Sequence, residues 1–166
     1  MLNGDYIRGL VDGEGCFNVK VWSDKRPNRT YRVEVKFFIA LRDDNYYLLE
    51  HIKNFFGCGR IELAVKAHGN KKTQWRYIVS RKKDLTETII PFFEKYPLIG
   101  AKKQDYNMFK EAVYIFANKE HLFLKGQKFP APKRRLVNPQ SSGFIRIKEI
   151  AQRINEYRNS LELKKA

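Results

Sequence analysis

Asp12 and Glu14 lie two residues apart in the stretch IRGLVDGEG, residues 7–15, where a helix should run out. Ile7, Leu10 and Val11 have the i, i+3, i+4 spacing of one apolar helical face, and Gly15 supplies a stop. Carboxylates at this end are electrostatically misplaced. A helix C-terminus carries partial negative charge and favours Lys or Arg, so a bound cation is the simplest reason for two acids there. Gly9 and Gly13 sit four residues apart on another face, where missing side chains would let a second helix come very close.

The elements that must position these acids follow in order. A period-2 strand is expected over 16–22, with Phe17, Val19 and Val21 on one face. After the turn-rich stretch 24–29, a longer strand alternates Tyr31, Val33, Val35, Phe37, Ile39 and Leu41 with Arg32, Glu34, Lys36, Phe38 and Ala40. Asp43 or Asp44 should cap a helix whose stripe is Tyr47, Leu48, Ile52, Phe55 and Phe56, stopped by Gly57 and Gly59. The pattern then repeats. Ile61, Leu63 and Val65 should face in on a third strand, and Trp75, Tyr77 and Val79 on a fourth. Asp84 and Glu87 read as a capping box for a short helix that Pro91 interrupts. A long helix is expected over 101–118, then a basic, proline-containing loop at 126–143 and a last helix over 144–163 with Ile147, Ile150, Ile154 and Tyr157 on one side. A loop of that length is usually functional or disordered.

Charge says what the outward face meets. The 166-residue chain carries a formal net charge of +15 spread along its length, with 43% apolar and 14% aromatic residues. That is a folded body with a basic surface, expected as one domain over 1–166, and nucleic acid is the usual partner of such a surface. The outward strand positions hold Asn18, Lys20, Trp22, Arg32, Glu34, Lys36, Arg60, Glu62, Lys66, Gln74 and Arg76, with Arg26, Arg29, Lys71 and Lys72 in the turns. Arg and Lys read guanine, Asn and Gln read adenine, and acids read the cytosine amine. Nine strand residues at about 3.3 Å each reach roughly 30 Å, about nine base-pair steps of a double-stranded DNA target. Cys16 and Cys58 make neither a disulfide framework nor a zinc set, and His51, His68 and His121 are scattered and receive no role. No run has the length of a membrane span and the first residues do not form a targeting peptide, so an intracellular protein is expected, in a chloroplast or mitochondrion if it is organelle-encoded.

The string IRGLVDGEG resembles the signature of the LAGLIDADG homing endonucleases, with Arg8 in place of a small second residue and Glu14 in place of the final Asp. The resemblance implies an α+β, αββαββα fold, with a four-stranded antiparallel saddle-shaped sheet and helices on one face. It also implies intron homing, and a homodimer through the motif helices, since only one motif is present. Gly9, Gly13 and Asp12 would lie at that interface and the target would be near-palindromic. Dimerisation would bring two Glu14 carboxylates together, and divalent cations would relieve their repulsion. Such oxygen ligands suit magnesium (Mg2+), held by Glu14 with Gly13 beside it, for attack by water on the scissile phosphates. The segment PLIGAKKQDY, residues 97–106, resembles the family's proline-turn-lysine segment and makes Lys102 the catalytic lysine. Arg42, at the end of the second long strand, is the candidate for a water-positioning residue.

Three functions share this outline: a site-specific, metal-dependent DNA endonuclease, an intron RNA maturase, and a non-catalytic DNA-binding regulator. Retention of both Glu14 and Lys102 favours the endonuclease, because an RNA cofactor does not need an acid in so unfavourable a place.

Overall fold

The structure, a computed structural model, describes residues 2–25, 31–68, 72–123 and 136–163, with side chains to residue 156. Helix α1 (Gly4–Glu14) passes without a loop into β1 (Gly15–Ser23), followed by β2 (Tyr31–Arg42), α2 (Tyr46–Phe56), β3 (Arg60–Val65) and β4 (Gln74–Val79). The four strands form one sheet in the order β1-β2-β4-β3, and β4 pairs antiparallel with both β2 and β3. The αββαββ order and the antiparallel α+β class expected from the sequence are therefore observed. Helical segments follow: α3 (Lys82–Asp84), a π turn (Leu85–Ile89), α4 (Ile90–Lys95), α5 (Lys102–Asn118) and α6 (Ser142–Leu163). The chain divides into two compact units, one of residues 1–17 and 36–107, the other of residues 18–35 and 108–166.

The first unit is built on an aromatic core. Phe17, Phe37 and Phe93 are fully enclosed, with ring centroids 5.3 to 5.6 Å apart, the spacing at which edge and tilted ring pairs attract beyond their area burial. Gly4, Ile7 and Val11 of α1 are buried, and a Cβ on Gly4 would stand 2.2 Å from the Tyr96 ring. Asn3 caps the helix by accepting the Tyr6 N–H at 2.8 Å. Helix α2 differs from its expected stripe. The buried residues are Leu49, Ile52 and Phe56, whereas Tyr47 is 59% and Phe55 40% exposed. Leu49 wins the core position because the helix starts at Tyr46 and the i, i+3, i+7 face runs through 49, 52 and 56. The helix ends on Gly57 with φ of 64°, the left-handed conformation that favours glycine.

Two further expectations are corrected in this unit. Leu63 and Val65 are exposed rather than inward: β3 is an edge strand, and its register against β4 shifts after Leu63. The Asp84–Glu87 capping box is absent, since Arg81 is the N-cap, with no side-chain cap bond, and Asp84 lies inside the helical run. Pro91 does not break that run. It falls at the first positions of α4, directly after the π turn, where a missing N–H is tolerated.

In the second unit Phe109, Ala112 and Val113 of α5 are buried, as are Phe144, Ile147, Ile150 and Ile154 of α6, as the isoleucine spacing anticipates; Tyr157 lies outside the described side chains. Tyr31 packs on Phe144 at 4.9 Å, and Arg146 grips Glu111 through Nε and Nη2. Part of the stretch expected as loop is ordered. Leu136 and Val137 are buried, and Val137 bridges Leu122.

Candidate active site and nucleic-acid face

The end of α1 explains its misplaced acids by distance rather than by local sequence. No basic residue occupies the last turn, and the Gly15 N–H closes the helix on the Val11 carbonyl, so what the helix end lacks from its own neighbourhood is a cation. Lys102, the first residue of α5, fills that role from 91 residues away. Its Nζ donates to the Val11 carbonyl at 3.2 Å and to the Gly13 carbonyl. Burial pushes the Lys102 ammonium below its usual range, against the pull of Glu14, Cys16, Asp12 and Asp105. Asp12 turns the other way and accepts the N–H groups of Ile99 at 3.1 Å and Gly100 at 3.2 Å, so it ties the 97–101 turn to the helix. Glu14 remains exposed.

Asp12, Gly13, Glu14 and Lys102 thus come together in the first unit. Lys103 is exposed, one position away, and Arg42 is paired instead with Asp44 at 2.9 Å. Among the described residues no three His, Cys, Asp or Glu side chains cluster to hold a metal. The donor set nevertheless fits half of a magnesium site, since that ion is commonly held by one or two carboxylates plus water and phosphate. Glu14 is one such carboxylate. Beside it, Gly9 and Gly13 are open: a Cβ on either would meet nothing within 4 Å.

The proposed reading residues divide between the units. In the second unit Lys20, Trp22 and Arg32 are exposed and Glu34 half-buried, with the Arg32 guanidinium 5.2 Å from the Trp22 ring. Asn18 is the exception. It is 4% exposed, so no base edge reaches it. In the first unit Lys66, Lys72, Gln74 and Arg60 are exposed, and Lys36, Glu62 and Arg76 are half-buried. Arg26, Arg29 and Lys71 lie outside the described residues. Sequence reasoning missed two partners on the outward face: Ser80, which accepts from Arg60 Nη1 at 3.1 Å, and Phe38, whose ring lies 5.7 Å from the Arg76 guanidinium. Phe38 sits at an outward position of a basic strand, and that was the available signal.

With the motif helix, the lysine beneath it and the ββαββ order in place, the class of protein is set. The profile of the family described as LAGLIDADG endonuclease matches residues 7–113, and the chain belongs to that family. A probable intron-encoded endonuclease 2 of Neurospora crassa is 35% identical over 83% of this chain and 28% of its own length. A homing endonuclease, I-SmaMI, solved on an uncleaved DNA target with calcium, superposes with a TM-score of 0.73 at 29% identity, over 94% of this chain and 46% of that one. Another, I-TnaI, gives 0.69 at 28% identity, over 92% and 87%. The chain spans about a quarter of the length of the first curated relatives it matches, 25%, 28% and 21%. No helix among the described residues is long and apolar enough to cross a membrane.

Proposed function

We propose that the chain is a site-specific double-strand DNA endonuclease that works with a divalent cation, magnesium by the chemistry of its donors. The observation that carries this reading is the arrangement at the end of α1. Asp12 is spent on the 97–101 turn and Lys102 bonds the helix terminus beside it, while the Glu14 carboxylate stays exposed. A magnesium ion bound there would activate water and neutralise charge on the scissile phosphate. The chain's own residues do the rest: Glu14 would hold the ion, and Lys102 keeps the Gly13 carbonyl and helix end in place. The Lys102 ammonium also supplies positive charge where the phosphorane develops.

A second copy of the chain would complete the site by laying its own α1 on Gly9 and Gly13, giving a two-fold reader of a near-palindromic target. The intron-encoded relatives support an intron-homing, organellar setting. The test is incubation of the protein and magnesium with a duplex library containing near-palindromic sites. Discrete double-strand cleavage is expected. Binding without cleavage would instead favour a regulator, and preference for intron RNA over duplex DNA a maturase.

A further inference from the structure

On the first unit's outward face, two arginines share one carboxylate unequally. Glu62 stands directly opposite Arg76 in the β3–β4 register. Its Oε1 accepts Arg76 Nε at 2.8 Å and Nη2 at 2.6 Å, while its Oε2 accepts Arg60 Nε at 3.1 Å and pairs with Arg60 Nη2 at 3.0 Å. Arg60 Nη1 is spent on Ser80. All three Arg60 nitrogens are therefore engaged inside the protein. With five N–H donors per guanidinium, Arg60 keeps only two protons, each on a nitrogen already held, whereas Arg76 keeps a wholly unbonded Nη1, which with the second Nη2 proton makes a parallel two-donor edge. The Phe38 ring lies 5.7 Å from that guanidinium, within cation–π range.

We propose that Arg76 reads a guanine and that Glu62 is the positioning residue that aims it, with Arg60 as a brace rather than a second reader. The proposal rests on the DNA-reading assignment above and names the base that one position of that face takes. A two-donor edge matches the O6 and N7 acceptors that guanine presents in the major groove. Arginine ordinarily gives up much rotamer freedom to reach a base, and here Glu62 has ordered it beforehand. Burial works to raise the Glu62 carboxyl, but the Arg76 hydrogen bond and the Arg60 charge outweigh it and hold it below the usual carboxylate range, so the brace is ionised at neutral pH. Its negative charge also repels phosphate. Removing that charge therefore moves two quantities in opposite directions: discrimination falls while general DNA affinity holds or rises.

The test is selection from a randomised duplex library in calcium, with the bound fraction sequenced for wild type, Arg76→Ala, Arg76→Lys, Glu62→Gln, Arg60→Ala and the Glu62→Gln/Arg76→Ala double variant. Wild type should select guanine at a half-site position that Arg76→Ala relaxes by on the order of tenfold or more, the scale of one bidentate pair. Arg76→Lys keeps the charge and the salt dependence but lacks the fixed fork that Glu62 aligns, so the preference should weaken. Glu62→Gln should weaken the same position several-fold without weakening binding to a random competitor duplex. The double variant should match Arg76→Ala, since coupled residues are not additive. Arg60→Ala should weaken that position less and relax none of its own. An unchanged profile in Glu62→Gln, or a separate position lost in Arg60→Ala, overturns the inference while leaving the DNA-reading assignment standing. A wild type with no base preference anywhere removes both.

Discussion

Replacing Lys102 with methionine separates its structural work from its chemical work. The substitution keeps the stem and deletes the charge, so the Val11 and Gly13 carbonyls lose their donor. Gly13 is exposed and can be rehydrated, and the Val11 carbonyl keeps the Gly15 N–H as its other partner. Losing one of two donors to that carbonyl costs about 0.5–1.5 kcal/mol. Against this, the half-buried ammonium is itself disfavoured by desolvation, and methionine relieves that cost. The net loss of stability should fall near 1 kcal/mol, small against the 5–15 kcal/mol typical of a domain. Catalysis should suffer more. Loss of one charge contact to the transition state slows reactions by about 10²-fold or more, some 2.7 kcal/mol of barrier. Urea denaturation would give the first number, and single-turnover cleavage of a duplex target at a temperature where both proteins are fully folded would give the second. Near wild-type cleavage by the folded Lys102→Met protein, or a larger defect in Lys103→Met, would refute the reasoning.

Glu14→Gln should abolish magnesium-dependent cleavage while leaving duplex binding intact in a filter or gel-shift assay; a variant that still cuts near the wild-type rate would show that the ion sits elsewhere. Gly9→Leu should leave the isolated chain as stable as wild type or about 0.5–1 kcal/mol more so, from helix propensity alone, because its Cβ meets nothing within 4 Å. It should nonetheless abolish dimerisation by sedimentation, and an unaltered dimer would remove α1 as the interface. Gly4→Ala, whose Cβ strikes the Tyr96 ring, should instead lower stability by about 1–3 kcal/mol. Arg146 hydrogen bonds hold the Glu111 carboxyl below the usual carboxylate range. A depressed folded value gives stability that is present above the ordinary carboxylate pKa and lost as pH falls through the folded one. Arg146→Ala should therefore cost under about 1 kcal/mol at pH 7, discounted because both side chains are partly solvated, and the difference from wild type should vanish in denaturation at strongly acid pH.

Strand and helix order was legible because β2 alternates over its whole length and α1 carries a rare string. What failed shares one cause: period and composition are local, whereas the competing effects are tertiary. Tyr47 and Leu49 both suit an apolar stripe, and only the packing of α2 chooses Leu49. Leu63 reads as a core residue until β3 proves to be a bulged edge. Asp84 and Glu87 have capping-box spacing but fall inside a helix begun earlier. At the site, the motif flagged Asp12 and Glu14 correctly as unusual, yet no spacing rule could show that the compensating cation lies 91 residues away, or that Asp12 bonds the turn preceding that cation. The same limit hid the unequal roles of Arg60 and Arg76, which alternate identically in sequence and differ only in what stands across the strand.

The direct passage from Glu14 to Gly15 has a further consequence for how such a protein changes over time. Gly15 is pressed against Val11, with 2.5 Å from its notional Cβ to the Val11 side chain, so the junction has no slack to take up an added residue. One insertion there would exchange the inward Phe17 for the half-exposed Cys16, because strand side chains alternate strictly, and would pull the enclosed aromatic core apart. Sequence drift that keeps this fold is therefore confined to side-chain replacement along the strands and length changes in the turns. The junction thus ties the position of Glu14 to the register of the strand that begins at the next residue, and neither can slide without the other.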